Sequence, residues 1–355
     1  MNASDPAVMI GRTGSLGRIS LNRPKALNSL TLDMVRMIAQ SLDELEADPT
    51  VAAVLLTGEG DRGLCAGGDV RALYESGKAG SDHATTFWRE EYLLNARIAS
   101  YPKPYVAVMD GITMGGGVGL SAHGRHRVVT ERTRMAMPET SIGFFPDVGG
   151  TWLLARAPGE FGTYLGLTGM HIGPSDAIYA GLADVSVLAT AISAIIGALE
   201  GLPPAANDHQ VRQLLYAFSV ETPPTPIQEN FAYIDHAFAS AHISSILTSL
   251  AGIDTEFARE TQATLLSKSP TSLRLTLRLL RLARESSGLI ECLEREFATT
   301  RHILAGHDFY EGIRAAVIDK DRKPRWSPSH LDEVQDEDIE AYLIPGPQSL
   351  FLHTA

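Results

Sequence analysis

A strand, a glycine-rich loop and a helix follow one another twice in this chain, and this repeat constrains the fold more than any other feature. In the first copy, the apolar residues 51–57 lead into GEGDRGLCAGGD and a helix near Asp69. In the second, residues 105–109 lead into GITMGGGVGLS. Short apolar runs that are bounded by glycines are typical of buried strands. The sequence therefore predicts an α/β protein.

The remaining patterns extend this prediction to the whole chain. Residues 8–11 and 16–22 indicate a hairpin, and apolar residues at helical spacing predict a helix from an N-cap at Thr31 to residue 47. Further strands are predicted at 127–130 and 185–188. Proline-rich loops follow residue 201, and helices are predicted from about residue 229 onwards. We therefore divide the chain into a core with the active site, residues 1–200, and a mainly helical region, residues 201–355.

Composition excludes several classes of protein. The net charge is −12, which argues against sequence-independent binding of nucleic acid. No apolar run has membrane-spanning length, so we expect no membrane partner. The first residues, MNASDPAVMIG, lack the apolar stretch of a secretory signal and the Arg/Ser-rich pattern of a transit peptide. These observations predict a cytoplasmic protein.

The second glycine loop and the residues after it have the composition of a reactive site. Gly115, Gly116, Gly117 and Gly119 lack a Cβ, so the backbone there can approach a ligand closely. A helix that starts in this loop adds unpaired N–H donors, which favour a developing negative oxygen. Glu139 follows Pro138 beyond the next strand, where its carboxylate can project into a site, and Asp147 supplies a second carboxylate.

Each carboxylate also has a structural interpretation. Glu139 could be a solvated or capping residue at a strand end. Asp147 could be the N-cap of a helix that starts near Gly150. Glu91 lies on a charged helix face, where a solvated side chain is nearly as expected as a functional one.

Three other patterns carry weaker signals. Residues 117–122 match the dinucleotide-binding pattern G-x-G-x-x-A, but they lie too far from the preceding strand. His123 and His126 lack a third ligand nearby, so we predict no metal site. The arginine row in the segment SLRLTLRLLRLA, residues 272–283, is either a solvated face or a phosphate-binding patch, and it consists of Arg274, Arg278 and Arg281.

Several segments resemble one known family. They are NRPKALNSL at 22–30, CAGGD at 65–69, GITMGGGVGLS at 111–121 and MPETSIGFFPDVGG at 137–150, and they are similar to the enoyl-CoA hydratase/isomerase (crotonase) superfamily. REEYLLN at 89–95, SPTSL at 269–273 and GHDFYEGIRAAVIDKDRKPRW at 306–326 resemble its hydroxyacyl-CoA hydrolase branch. The resemblance covers nearly the whole chain. It implies a crotonase-type spiral of ββα repeats with a helical C-terminal region.

The resemblance also implies roles for four catalytic residues. The backbone N–H groups of Gly68 and Gly116 would hold a thioester carbonyl oxygen. Glu139 would either attack the thioester carbon or act as general base on water, and the sequence leaves both routes open. Asp147 would accept the 3-hydroxyl group of the substrate.

Further residues are implied in substrate binding. Glu91 would line the acyl pocket. The segment around residues 23–30 would lie at the adenine end of coenzyme A, with Lys25 and Arg23 as candidates for phosphate contacts. The other residues of the predicted binding surface are Ala26, Asn28, Ala66, Gly67, Asp69 and Gly115.

Gly119 decides between reactions within the superfamily. A hydratase that resembles this chain would have a glutamate there, so enoyl hydration is disfavoured. The resemblance implies hydrolysis of a short 3-hydroxyacyl-CoA thioester, foremost 3-hydroxyisobutyryl-CoA, which is a step of valine breakdown. We expect no cofactor, since coenzyme A is part of the substrate, and a possible homo-oligomer. The alternatives are another hydroxyacyl-CoA hydrolase, a hydratase/isomerase, and a non-catalytic binding module with this fold.

Overall fold

The architecture is a mixed α/β fold followed by a long helical region. It is seen in a computed structural model, which describes residues 6–346 and 349–351. The strands in chain order are β1 (Val8–Thr13), β2 (Leu16–Leu21), β3 (Ala53–Gly58), β4 (Gly63–Cys65), β5 (Tyr105–Met109), β6 (Ile112–Met114), β7 (His126–Thr130), β8 (Arg134–Ala136) and β9 (Val185–Val187).

The helices outnumber the strands and dominate the second half of the chain. They are α1 (Leu32–Ala47), α2 (Val70–Ala79), α3 (His83–Ala99), α4 (Gly116–Ser121), α5 (Gly150–Leu154), α6 (Phe161–Thr168), α7 (Pro174–Tyr179), α8 (Ile192–Glu200), α9 (Asp208–Tyr216), α10 (Phe231–Phe238), α11 (Ile243–Ala251), α12 (Glu256–Leu266), α13 (Pro270–Glu285), α14 (Leu289–Ala305), α15 (Asp308–Ile313) and α16 (Asp336–Tyr342). The predicted hairpin and the N-cap at Thr31, which accepts the N–H of Met34, are both confirmed.

The strands form two sheets whose order explains the repeat in the sequence. The larger sheet has the order β1-β2-β3-β5-β7-β9, and the smaller has the order β4-β6-β8. Strands β3, β5 and β7 are parallel neighbours in the larger sheet, and the strand after each of them belongs to the smaller sheet. Each repeat therefore has two strands. The family resemblance implied this second strand, but the sequence did not locate it, because three residues are too few for a periodicity to appear.

The chain separates into two compact units that alternate along the sequence. Among the described residues, the first contains 6–68, 94–135 and 171–224, and the second contains 69–93, 136–170, 225–346 and 349–351. The predicted boundary at residue 200 stays a prediction.

The core of the first unit is one face of the larger sheet. Alternate residues of the central strands point to this face, as the two-residue period of a strand requires. They pack against apolar residues of α8 and α9, and the cluster includes Leu55, Val106, Val128, Ile195 and Leu215. This packing covers the sheet on that side.

The second unit has an aromatic cluster beside the 3-10 helix Glu139–Ile142. The first residue of this helix is a buried glutamate. Trp88 stacks on Phe144 at 5.5 Å between ring centroids, and Phe144 stacks on Phe145 at 4.6 Å. Phe309 completes the cluster at 5.6 Å from Phe144. None of the helices in the described part of the chain is both long enough and apolar enough to cross a membrane.

Candidate active site

Glu139 begins a short turn that buries its carboxylate. The 3-10 helix Glu139–Ile142 follows Pro138 and ends at Gly143, whose φ of 71° is left-handed. Only 7% of Glu139 is exposed, and its Oε2 has no hydrogen-bond partner among the described residues. A buried charged oxygen without a partner is costly, so a site that leaves one unsatisfied is a candidate for ligand binding. The solvated interpretation of Glu139 is therefore wrong.

Helix α15 packs tightly against this turn, and glycines make the close approach possible. A Cβ on Gly143 would lie 2.1 Å from the carbonyl oxygen of Asp308, and one on Gly312 would lie 2.3 Å from the carbonyl carbon of Ile142. The side chain of Asp308 accepts hydrogen bonds from the Ser269 hydroxyl at 2.6 Å and from the N–H of Ser327 at 2.8 Å. The tail segments that carry the family resemblance thus support the turn of Glu139.

Asp147 lies in the loop before α5 and is also buried. Its Oδ2 accepts a hydrogen bond from the Tyr92 hydroxyl at 2.7 Å. The N-cap of α5 is Gly149, and no side chain of the loop caps this helix. The alternative interpretation, in which Asp147 is the N-cap, is therefore wrong.

Glu296 takes the capping role from a distant part of the chain. This residue of α14 is fully buried and accepts the N–H of Gly149 at 2.7 Å and the N–H of Thr151 at 3.1 Å. It also accepts the hydroxyl of Thr151. Neither Glu296 nor Tyr92 was predicted from the sequence. Tyr92 lies within the segment REEYLLN, which could have indicated it, whereas nothing local distinguishes Glu296 from other helix glutamates.

Glu91 belongs to the same cluster of acidic groups. Only 2% of it is exposed, so the expectation of a solvated side chain is wrong. Its Oε1 has no hydrogen-bond partner among the described residues. Its position on α3, next to Tyr92 in sequence, brings its charge within reach of Asp147 and Glu139.

Burial and mutual repulsion make these carboxyl groups weak acids. Burial, and then the charges of Asp147 and Glu139, raise the pKa of Glu91 well above its ordinary value. Burial and the charge of Asp147 likewise raise the pKa of Glu139 well above 4.5. Burial raises the pKa of Asp147 to about 7 against the lowering effect of Tyr92, and raises that of Glu296 to about 8. Such groups can take up protons near neutral pH.

The two glycine loops meet within the first unit. Gly67 has a φ of 105°, and a Cβ there would lie 3.7 Å from the backbone nitrogen of Gly116. A Cβ on Gly117 would lie 2.4 Å from the carbonyl oxygen of Cys65, so this glycine is required for the loops to pack. Gly68 forms a bridge with Leu30. Gly116 is the first residue of α4, where backbone N–H groups lack intrahelical acceptors. The oxyanion role of Gly68 and Gly116 stays a prediction.

The remaining predicted binding residues lie on or beside these loops. Lys25 and Ala26 are exposed on the 3-10 helix Pro24–Ala26, and Ala66 donates its N–H to Leu27. Asn28 is 1% exposed, and its amide donates to the carbonyl oxygens of Glu59 and Gly63. The side chain of Asn28 therefore holds the loop. Gly115 is the N-cap of α4, while Asp69 is the N-cap of α2 in the second unit. Their contacts with a substrate stay predictions.

The arginine row of α13 forms ion pairs with acidic residues of the same chain. Arg274 pairs with Asp336, Arg278 with Glu340 at 2.7 Å, and Arg281 with Glu160 at 2.9 Å. All three arginines of the row therefore have acidic partners, and a phosphate-binding role for them stays a prediction. Within the described residues, no group of three or more His, Cys, Asp or Glu side chains is arranged to hold a metal ion.

Comparisons with known proteins agree with this geometry. A family model described as enoyl-CoA hydratase/isomerase matches residues 16–343. A protein from Xenopus tropicalis named 3-hydroxyisobutyryl-CoA hydrolase, mitochondrial, is 42% identical over 342 residues, which are 95% of this chain and 89% of the relative. The chain belongs to the enoyl-CoA hydratase/isomerase family. The fold predicted from the resemblance, a crotonase-type α/β fold with a helical C-terminal region, is confirmed.

Solved structures of this family match the chain over nearly its whole length. One is described as a carnitinyl-CoA dehydratase from Mycobacterium thermoresistibile, with 43% identity and a TM-score of 0.93 over 99% of this chain and 100% of that one. Another is described as an enoyl-CoA hydratase from Rhodobacter sphaeroides 2.4.1, with 44% identity and a TM-score of 0.89 over 98% and 100% of the two chains.

The same relatives overturn the predicted location. The family members from Xenopus tropicalis, Xenopus laevis and Homo sapiens all have names that place them in mitochondria. The prediction of a cytoplasmic protein is therefore wrong. It rested on the composition of the first residues and on the lack of a membrane-spanning run, and neither the fold nor the site chemistry carries information about a compartment.

Proposed function

We propose that this protein hydrolyses 3-hydroxyisobutyryl-CoA to 3-hydroxyisobutyrate and free coenzyme A, as a step of valine breakdown. The observation that carries this proposal is the buried pair of acidic residues, Glu139 and Asp147, in a member of the family whose relatives bear this name. Glu139 has an oxygen that no described residue hydrogen-bonds, and Asp147 is held by Tyr92. This arrangement offers a base or nucleophile together with an acceptor for a substrate hydroxyl.

The reaction needs few groups. In the general-base route, Glu139 takes a proton from a water molecule, and the water oxygen forms a bond with the thioester carbon. The carbon–sulfur bond then breaks, and the coenzyme A thiolate takes up the proton. One water is consumed, and one carboxylic acid and one thiol are formed. In the other route, Glu139 itself attacks the carbon, and water opens the resulting anhydride.

The N–H groups of Gly68 and Gly116 would stabilise the negative oxygen in either route. Loss of one such donor costs about 2.7–4 kcal/mol in comparable enzymes. Lys25, which is exposed beside the glycine loop, is our candidate for a phosphate contact with coenzyme A. Because coenzyme A enters as part of the substrate, we expect protein treated with EDTA to keep its activity.

The descriptions of the solved relatives as a hydratase and a dehydratase raise the alternative of water addition to a double bond. Addition of water to a double bond needs one residue that acts as a base on the water and a second that acts as an acid toward the substrate. Gly119, in the buried helix α4, has no side chain to supply the second group. Hydrolysis needs only one such residue. The absence of a carboxylate at position 119 therefore favours the hydrolase.

The experiment is a comparison of two thioesters. Thiol release and loss of the double bond are measured with 3-hydroxyisobutyryl-CoA and crotonyl-CoA for the wild type, Glu139→Gln and Glu337→Gln. Glu337 is an exposed glutamate of α16 and serves as a matched control. We expect rapid thiol release from the hydroxyacyl ester alone, and a loss of about 10²–10⁴-fold in Glu139→Gln.

Two other outcomes would contradict the proposal. Loss of the crotonyl double bond without thiol release would make the protein a hydratase in spite of Gly119. No turnover of either thioester would favour a non-catalytic binding module. After a single turnover in ¹⁸O-labelled water, label in the peptide that contains Glu139 would demonstrate an anhydride that water opens at the Glu139 carbonyl carbon.

A further inference from the structure

The loop that carries Asp147 has an unusual backbone. Val148 has a φ of 53° and Gly149 has a φ of 74°, so two consecutive residues are left-handed. Glycine adopts this conformation freely, but a β-branched residue such as valine is strained in it. Strain of this kind persists only where the surrounding contacts hold the backbone in place. The loop must therefore be held by something other than its own preferences.

Glu296 supplies the contacts that hold this loop. Its two carboxylate oxygens accept the N–H of Gly149 and the N–H of Thr151, and Thr151 adds its hydroxyl. Each of these atoms lies within four residues of Asp147, and the three donors converge on one fully buried side chain. Glu296 thus fixes Gly149, the residue after the strained Val148, and Thr151 in the first turn of α5.

Tyr92 holds Asp147 from the other direction. Its hydroxyl donates to Oδ2 of Asp147 at 2.7 Å, and Tyr92 is fully buried against Phe297, the residue after Glu296. The ring centroids of Tyr92 and Phe297 are 6.4 Å apart. Glu296 of α14 therefore holds the backbone after Asp147, and Tyr92 of α3 holds the carboxylate of Asp147. The contact between Tyr92 and Phe297 joins these two helices.

We propose that Glu296 is a positioning residue that acts through Asp147. By holding Gly149 and Thr151, it keeps the Asp147 carboxylate in the orientation that receives the hydroxyl group of the acyl chain. This inference rests on the proposed function, because it assigns the specificity for a 3-hydroxyacyl group to a contact outside the substrate pocket. It predicts that substitution of Glu296 lowers the preference of the enzyme for substrates that carry the 3-hydroxyl group.

The test uses variants of matched shape. Glu296→Gln replaces one acceptor oxygen by a donor, so it cannot accept all three hydrogen bonds. Thr151→Val removes the hydroxyl, and Thr151→Ser retains it. The control is Glu291→Gln on the same helix, because Glu291 also caps a backbone N–H, that of Ser287, but on the exposed side. Each variant is made alone and together with Asp147→Asn.

The measurement is kcat/KM for 3-hydroxyisobutyryl-CoA and for isobutyryl-CoA, which lacks the hydroxyl. We expect Glu296→Gln to lower the ratio of the two by about 100-fold, as small misplacements of a reacting group do. Thr151→Val should lower the ratio less, Thr151→Ser should restore it, and Glu291→Gln should leave it unchanged. In the Asp147→Asn background, Glu296→Gln should have little further effect on the ratio.

The outcomes separate the two proposals. If the wild type releases no thiol from either ester, the proposed function fails, and the inference fails with it. If the wild type is selective but Glu296→Gln loses rate equally on both esters, Glu296 has a structural role only. Full additivity of Glu296→Gln with Asp147→Asn would also overturn the inference. Should Glu296→Gln fail to fold, the Thr151→Val and Thr151→Ser pair decides the question by the same ratio.

Discussion

The glycine loops of the first unit and the acidic cluster of the second arrange their polar groups by different physical means. The loops use backbone atoms and depend on the absence of side chains, as Gly117 shows where a Cβ would meet Cys65. The cluster uses side chains and depends on burial, which raises the pKa of Asp147 to about 7 and that of Glu296 to about 8.

This difference determines what each region tolerates. A loop built on close backbone contact is sensitive to any added atom, whatever its polarity. A cluster of buried carboxyl groups is sensitive to charge and hydrogen bonding, while a side chain of the same shape still fits. A substitution that adds an atom without changing the charge should therefore affect the glycine loops. A substitution that removes a charge at constant shape should affect the acidic cluster.

The largest expected effect is on the acidic cluster. Asp147→Asn keeps the shape of the side chain and the hydrogen bond from Tyr92, but it removes the charge that would accept a substrate hydroxyl. We expect the preference for 3-hydroxyisobutyryl-CoA over isobutyryl-CoA to fall by about 100-fold, measured as the ratio of kcat/KM values. An unchanged ratio would show that Asp147 does not recognise the hydroxyl.

The next effect tests the loops by size alone. Gly117→Ala places a Cβ 2.4 Å from a backbone oxygen of Cys65, so the backbone must shift. We expect it to lower the free energy of unfolding by about 1–3 kcal/mol, measured by chemical denaturation. Gly197→Ala is the control, since no described residue outside the local helix backbone has an atom within 4 Å of a Cβ built there, and it should stabilise α8 by about 0.5–1 kcal/mol. Equal effects of the two would argue against close packing of the loops.

A smaller effect should appear with pH, and only through the cluster. Glu296 has a folded pKa of about 8 against an ordinary value of 4.5, so the folded state binds more protons than the unfolded state between these values. Stability from this group is full below pH 4.5 and is lost as the pH rises through 8. Between pH 7 and 8, the free energy of unfolding of the wild type should fall by about 1 kcal/mol more than that of Glu296→Gln.

The control for this titration is again Glu291→Gln. Hydrogen bonds from Ser287 lower the pKa of Glu291, so it is ionised in both states above pH 7. In Glu291→Gln, the free energy of unfolding should therefore change between pH 7 and 8 by as much as in the wild type. The measurement is chemical denaturation at both pH values. Identical pH dependence of Glu296→Gln and the wild type would be inconsistent with a protonated Glu296 in the folded protein.

The smallest effect lies outside both regions. Arg278 pairs with Glu340 on the surface, where 42% and 54% of the two side chains are exposed. Arg278→Gln should change the free energy of unfolding by less than about 1 kcal/mol, as is usual for exposed ion pairs. It should also leave the KM for the acyl-CoA unchanged. A large increase in KM would support the interpretation of the arginine row as a phosphate site.

Much of the fold could be predicted because its signals are local. The apolar runs of β3 and β5, the N-cap at Thr31 and the glycines between strand and helix all lie within short windows of sequence. Strands β4 and β6 were not located from the sequence, since three residues show no period. Their existence depends on pairing with each other across the repeat, which no window along the chain contains.

The site divides in the same way. Glu139 and Asp147 were identified as candidates from their flanking segments, and burial then explains why their pKa values are raised. Whether Asp147 caps α5 was undecided from the sequence, because a cap and a free carboxylate have the same neighbours along the chain. The structure answers it by bringing in Glu296, which takes the N–H groups that Asp147 would otherwise have capped.

The sequence by itself determined the repeat, the glycine loops and the two acidic residues, since these depend on residue type and spacing. Only the tertiary structure decided that Glu91 is buried, that Tyr92 and Glu296 hold the loop of Asp147, and that α15 supports the turn of Glu139. The physical reason is that burial and hydrogen bonding join residues far apart in the chain. They set the pKa of each carboxyl group only after the chain has folded.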